Sequence, residues 1–161
     1  MSPTLSLPTT RLPGVYAGAA AGRIVLPNRR SSLTLLSEWV QEFALANKLS
    51  GRSAFRLELV LVETVTNIIE HGNMDSDLDD DGCSAIEVQA DCNGAHVVVQ
   101  VEDDGSPFDP TAAPIHRPPA SLAEAPVGGL GLHLIRSYTE EWEYRRINQR
   151  NRQRMTIACD S

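Results

Sequence analysis

The chain has 161 residues, 42% of them hydrophobic and 22% charged, which suits one globular domain with a buried core and excludes a low-complexity or membrane-embedded protein. Its formal charge of -7 argues against nucleic acid as the main partner, because phosphate backbones are bound by an excess of Lys and Arg. No apolar run approaches the ~20 residues of a membrane span, and the N-terminus lacks a basic patch followed by an uninterrupted apolar run, so a soluble, unexported protein without a membrane partner is expected.

Residues 1–22 contain Pro3, Pro8, Pro13 and many small side chains, offering little apolar surface to offset the entropy of ordering. They are expected to form a flexible arm, with a single domain over residues 23–161. The boundary is placed before Arg23 because RIVLP, Arg23 to Pro27, is short, β-branched and closed by a proline, as an edge strand would be. From Arg30 to Lys48 the apolar positions Leu33, Leu36, Trp39, Val40, Phe43 and Leu45 recur at helical spacing, and Ser50-Gly51 ends the run.

Ala54 to His71 reads as a second helix, with Gly72 at its C-cap. Glu63, Asn67 and Glu70 stand at i, i+4 and i+7 on one narrow stripe, and Leu57, Leu61, Val65, Ile68 and Ile69 gather on the opposite side. Leu59 and Val60 flank the stripe. A thin acceptor-rich strip between apolar shoulders is what a helix lining a pocket shows; a solvated face is the competing reading of this stretch alone.

An acidic loop follows. Asp77, Asp79, Asp81 and Gly82 imitate the start of a calcium loop, but Val88 stands at the twelfth position, where a bidentate Glu is needed; a solvated connection is expected. Ala85 to Ala90 alternates, Ala95 to Val101 is an apolar β-run, and Asn93-Gly94 between them signals a hairpin. The segment VEDDGSPFDP then ends a strand in acids, a glycine and prolines, and Thr111 to Val127 is a long loop of the kind that is usually functional. Gly128-Gly129-Leu130-Gly131 opens a short helix. Glu141 to Arg146 and Arg154 to Ala158 alternate as two strands around a polar turn at Asn148 to Asn151. The order implies an α+β two-layer sandwich, helices on one face of a mixed, mostly antiparallel sheet. Cys83, Cys92 and Cys159 are odd in number with no C-x-x-C, so neither a disulfide framework nor a zinc site is indicated, and buried thiols in a reducing cytoplasm are expected.

Glu63-x-x-x-Asn67 on a helix, Asp103-x-Gly105 at a strand end and the glycines of residues 128–131 opening a helix resemble, in this order, the N, G1 and G2 boxes of the GHKL ATPase superfamily with its Bergerat ATP-binding fold. The stretches ETVTNIIEHGN, DDGSPFDP, GGLGLHLIRS and EEWEYRR are similar to those of the anti-sigma-factor serine/threonine kinases of bacterial partner switching, over roughly Arg23 to Cys159. The resemblance implies ATP and Mg2+ as cofactors, with Asn67 as the protein oxygen on the metal and Glu63 as the general base toward a substrate hydroxyl. Asp103 would accept from the exocyclic amine of adenine, and Gly105 would leave room for the ring. Gly129 and Gly131 would bring backbone N–H groups to the phosphates at a helix N-terminus, with Gly128 as hinge. Thr156 would support Asp103 from a neighbouring strand. Glu70 and His71 would cap the helix or position the loop.

The implied partners are a STAS-domain antagonist, phosphorylated on Ser or Thr, and a sigma factor, with a homodimer as the common assembly. Two departures from the pattern stand out. Pro107 occupies a place where many members carry glycine, and the long loop holds no lysine, leaving Arg117 or His116 for any cationic contact to the terminal phosphate. The arginines at 145, 146, 150, 152 and 154 are expected to pair across strands, with Glu141 and Glu143, rather than to bind nucleic acid. The competing function is a nucleotide-gated binding module that holds a partner without phosphotransfer.

Overall fold

The computed structural model describes residues 21–72, 85–114 and 129–160. Strand β1 (Ala21–Pro27) leads into helices α1 (Ser32–Ala46) and α2 (Gly51–Gly72), then strands β2 (Ala85–Cys92) and β3 (His96–Asp103), helix α3 (Gly129–Tyr138), and strands β4 (Glu141–Ile147) and β5 (Arg150–Ala158). The five strands form one sheet in the order β1-β2-β3-β5-β4, and its four ladders are all antiparallel. Residues 1–20 of the expected arm, the acidic loop, Cys83, residues 115–127 of the long loop and Gly128 lie outside the described residues.

Local chemistry accounts for the turns. Asn93 accepts at Oδ1 from the N–H groups of Ala95 and His96, and Gly94 takes φ of 90°, closing the β2–β3 hairpin at the expected place. Asn148 and Gln149 have φ of 50° and 62°, and Ile147 pairs with Arg150. That is a two-residue hairpin whose positive φ values match the twist of the flanking strands. Strand β5 therefore begins at Arg150, four residues before the expected Arg154, and Asn151 belongs to the sheet rather than to a turn. Ser50 starts α2, its Oγ accepting from the Ser53 N–H at 3.1 Å, and α2 continues through Gly72 instead of stopping before it. Among the described residues no helix is long and apolar enough to cross a membrane.

The three helices cover one face of the sheet. Leu36, Trp39, Val40 and Phe43 of α1, Leu57, Leu61, Val65 and Ile68 of α2 and Ile135 of α3 share a single core with the inward residues of β1, β2, β3 and β5. The fit is tight at β1: a Cβ on Gly22 would stand 2.9 Å from Trp39 Cζ2 and 3.0 Å from Phe43 Cδ2, two buried rings that already stack at 5.7 Å. Gly22→Ala is therefore expected to lower unfolding stability by about 1–3 kcal/mol, the range for overpacking a close-packed core. Chemical denaturation measures it, and a variant as stable as wild type would mean that the rings can yield. Cys92 is buried, and the half-buried Cys159 thiol is pushed up to about 11, by burial first and by neighbouring Cys92 second. These two are packing groups rather than reactive ones.

On the other face Glu102 of β3 holds two arginines of β5, Arg152 Nε at 2.8 Å and Arg150 Nε at 3.2 Å. The arginine hairpin does pair across strands, but its acid comes from the central strand. Glu143 pairs with Arg145 at 3.7 Å on its own strand, and Glu141 accepts from Thr156 at 3.4 Å.

Candidate nucleotide site

At one end of the sheet the inward residues turn from apolar to polar. On β3 the series Val97, Val99, Val101 ends in Asp103; on β5 the series Ile157, Met155 ends in Gln153 and Asn151. Asp103, Gln153 and Asn151 are 5%, 4% and 5% exposed, so each carries a desolvation cost that only partners can offset. Asp103 lies opposite Asn151 in register. Its Oδ1 accepts from Asn151 Nδ2 at 3.0 Å and from the Gly105 N–H at 2.9 Å, while Oδ2 makes no hydrogen bond among the described residues. Asn151 also donates to Ser106 O at 2.9 Å, and its own oxygen accepts from Tyr144 Oη at 2.7 Å and Arg146 Nη1 at 2.9 Å. Gln153 is held by Trp142 Nε1 at 3.1 Å.

These groups floor a cleft. Asn67, Ile68 and His71 of α2 form one wall, and Ser106, Pro107 and Phe108 form the other. The His71 and Phe108 rings stack at 5.1 Å across its mouth. Asn67 thus faces the same space as Asp103, which joins the first two sequence boxes. Glu70 pairs with Arg30 at 3.2 Å on an exposed surface, a contact of little energetic weight.

The third box meets α2 one turn earlier, at Glu63. A Cβ on Gly131 would stand 2.5 Å from Glu63 Oε2, so a side chain at residue 131 would meet the Glu63 carboxylate. Gly129 and Gly131 form the first turn of α3. Burial raises the Glu63 carboxyl above the ordinary glutamate range, and the charge of Glu70 adds to that rise.

A latch joins the end of the Asp103 segment to α3. Asp109 caps a short 3-10 helix, Pro110–Ala112, by accepting from Thr111 N at 2.9 Å. Arg136 of α3 donates to the carbonyls of Ala113 at 2.7 Å, Thr111 at 3.3 Å and Pro110 at 3.4 Å, with its guanidinium over the Trp142 ring.

Thr156 does not join this group. It is paired with Val98 and Glu141, on the face of β5 opposite to that of Asn151 and five residues along the strand. The support expected from Thr156 comes from Asn151, which the sequence reading missed by assigning it to the turn. The available signal was the alternation Asn151, Gln153, Met155, Ile157, which continues the strand's inward period of two back to Asn151.

A family model described as histidine kinase-like ATPase domain matches residues 26–157. Serine/threonine-protein kinase BtrW of Bordetella bronchiseptica is 31% identical over 111 residues, which cover 67% of this chain and 72% of that protein. The crystal structure of the RsbU and RsbW domains of Rv1364c from Mycobacterium tuberculosis matches with a TM-score of 0.60 at 16% identity, over 86% of this chain and 32% of that one. At that identity the likeness is one of fold.

Proposed function

We propose, from the premise that the chain belongs to the histidine kinase-like ATPase domain family and resembles the anti-sigma-factor kinases, that it is an ATP- and Mg2+-dependent protein serine/threonine kinase. Its substrate is a STAS-domain antagonist phosphorylated on Ser or Thr, its second partner a sigma factor held while the antagonist is phosphorylated, and its assembly a homodimer. The observation that carries this reading is Asp103: a buried carboxylate at the end of an apolar strand, one oxygen saturated by two N–H donors and the other left for a ligand's donor in a cleft shared with Asn67.

Each residue then has a chemical task. Asp103 accepts from the adenine amine beside Gly105, a contact that guanine's oxo group cannot make. Asn67 offers a neutral amide oxygen to Mg2+. Among the described residues no group of three or more His, Cys, Asp or Glu could hold a metal, and none is required where Mg2+ takes one protein oxygen and shares phosphates and water. Bound there, the ion would neutralise phosphate charge. Gly128, Gly129 and Gly131 let the start of α3 approach the phosphates. Glu63, with its raised carboxyl, accepts the proton of the substrate hydroxyl as that oxygen attacks.

Asp103→Asn presents an amide where the carboxylate stood and is expected to weaken ATP binding by about 1.5–3 kcal/mol, the worth of a hydrogen bond to a charged group. Calorimetric titration of the folded variant tests this, and unchanged affinity would remove the adenine reading. Transfer of labelled phosphate from ATP to a STAS protein encoded near this one tests the activity. A wild type that binds ATP and transfers nothing would favour the nucleotide-gated binding module.

A further inference from the structure

We infer that Asn151, its amide direction set by Arg146, is the positioning residue that aims Asp103 and so determines the preference for adenine. This rests on the nucleotide reading of the cleft. The side-chain amide of Asn151 has one accepting and one donating end, and the two point to different neighbours. The oxygen faces Arg146 Nη1 at 2.9 Å and Tyr144 Oη at 2.7 Å. A guanidinium can only donate, so Arg146 fixes the oxygen toward β4 and thereby turns the NH2 end toward Asp103.

That end has three acceptors: Asp103 Oδ1 at 3.0 Å, Ser106 O at 2.9 Å and Gly105 O at 3.4 Å. Arg146 also donates to Gly105 O at 2.8 Å. One amide therefore pins both the carboxylate and the backbone that follows it. With Oδ1 occupied by the Asn151 and Gly105 donors, Asp103 cannot rotate its carboxylate without breaking a buried bond, and Oδ2 is the oxygen presented to a ligand. Burial at 5% exposure for both residues makes a dangling donor or acceptor costly. Arg146 itself is exposed, so it can be changed without disturbing the core.

The test compares adenosine diphosphate with inosine diphosphate, which differ where the 6-amine becomes a 6-oxo group that a carboxylate repels. Wild type is expected to prefer the adenosine nucleotide by roughly tenfold to a hundredfold. Asn151→Ala, checked for folding by thermal unfolding, is expected to bring the two affinities within about threefold, chiefly by weakening adenosine diphosphate. A general loosening of the cleft would weaken both nucleotides alike and leave the ratio unchanged, so an unaltered ratio in the folded variant overturns the assignment. If Asn151→Ala does not fold, Arg146→Met decides. It leaves Asn151 in place with its outer end against the Tyr144 hydroxyl alone, which can donate or accept and so no longer imposes a direction, and the ratio is expected to fall in the same direction; a wild-type ratio there overturns the inference. A wild type with no adenosine preference overturns the nucleotide reading as well, whereas a wild-type preference retained in the variants removes only the role of Asn151 and Arg146.

Discussion

Glu63→Gln is expected to bind Mg-ATP with wild-type affinity and to lose phosphotransfer by about 10²–10⁴-fold, the contribution of a general base. Glutamine keeps the shape and volume of the side chain and removes only its ability to take a proton. The residue stands one turn from Asn67 along α2 and does not line the cleft around Asp103, so nucleobase recognition is left untouched. Asn67→Ala should behave in the opposite way, weakening nucleotide binding in the presence of Mg2+ more than in its absence. ATP affinity and phosphotransfer measured on the same three proteins separate the roles, and a fully active Glu63→Gln would remove the base.

The pH dependence follows from the same carboxyl. Burial and, second, the charge of Glu70 raise it. A base works deprotonated, so the rate should rise with pH through a midpoint above the ordinary glutamate value of about 4.3. The stability contribution runs the other way: the folded state holds this proton more tightly than the unfolded chain. The gain is present below the unfolded value and lost as pH rises through the folded one. Glu70→Gln removes the second cause and should move the acid limb of the rate profile downward. A limb that stays in place would mean that burial alone sets it.

What was legible in the sequence was what periodicity and turn chemistry encode. The apolar side of α2 is buried at Leu57, Leu61, Val65, Ile68 and Ile69, and the Asn93-Gly94 hairpin closes where those two residues predict it. The shared cleft of Asn67 and Asp103 was legible only as motif order, because one residue lies on a helix and the other on a strand 36 positions later. Asn151 was hidden by composition: Asn148, Gln149, Arg150 and Asn151 together look like a polar turn, although the turn needs only the two residues with positive φ. Glu102 was overlooked as the arginine partner because strand order is not written in local sequence. Strand β5 lies between β3 and β4, and its register on β3 sets Arg152 opposite Glu102. Thr156 failed for a simpler reason. Counted with period two from Asn151, residue 156 falls on the opposite face.

Gly131→Ala is expected to fold normally and lose phosphotransfer by roughly 10²-fold, the cost of displacing a catalytic group by about 1 Å. The added Cβ would meet Glu63 Oε2 at 2.5 Å, but Glu63 Cδ at 3.5 Å and Glu63 Cβ at 4.0 Å, both ordinary contacts. Only the far end of a flexible side chain is in the way, so the carboxylate swings aside while α3 stays packed on α2. The higher helix propensity of alanine, worth up to ~1 kcal/mol over glycine, offsets the rotamer change, and the unfolding temperature should stay close to that of wild type. A second substitution identifies the cause. If Gly131 acts by leaving room for the Glu63 carboxylate, adding Gly131→Ala to Glu63→Gln should cost little beyond the single Glu63 change, because both remove the same positioned base and their effects do not add. If Gly131 instead serves to bring the α3 backbone to the phosphates, ATP affinity should fall in both backgrounds by the same factor. Phosphotransfer and ATP affinity across these four proteins decide between the two, and a fully active Gly131→Ala would mean that the position of Glu63 seen here is not the one used in the reaction.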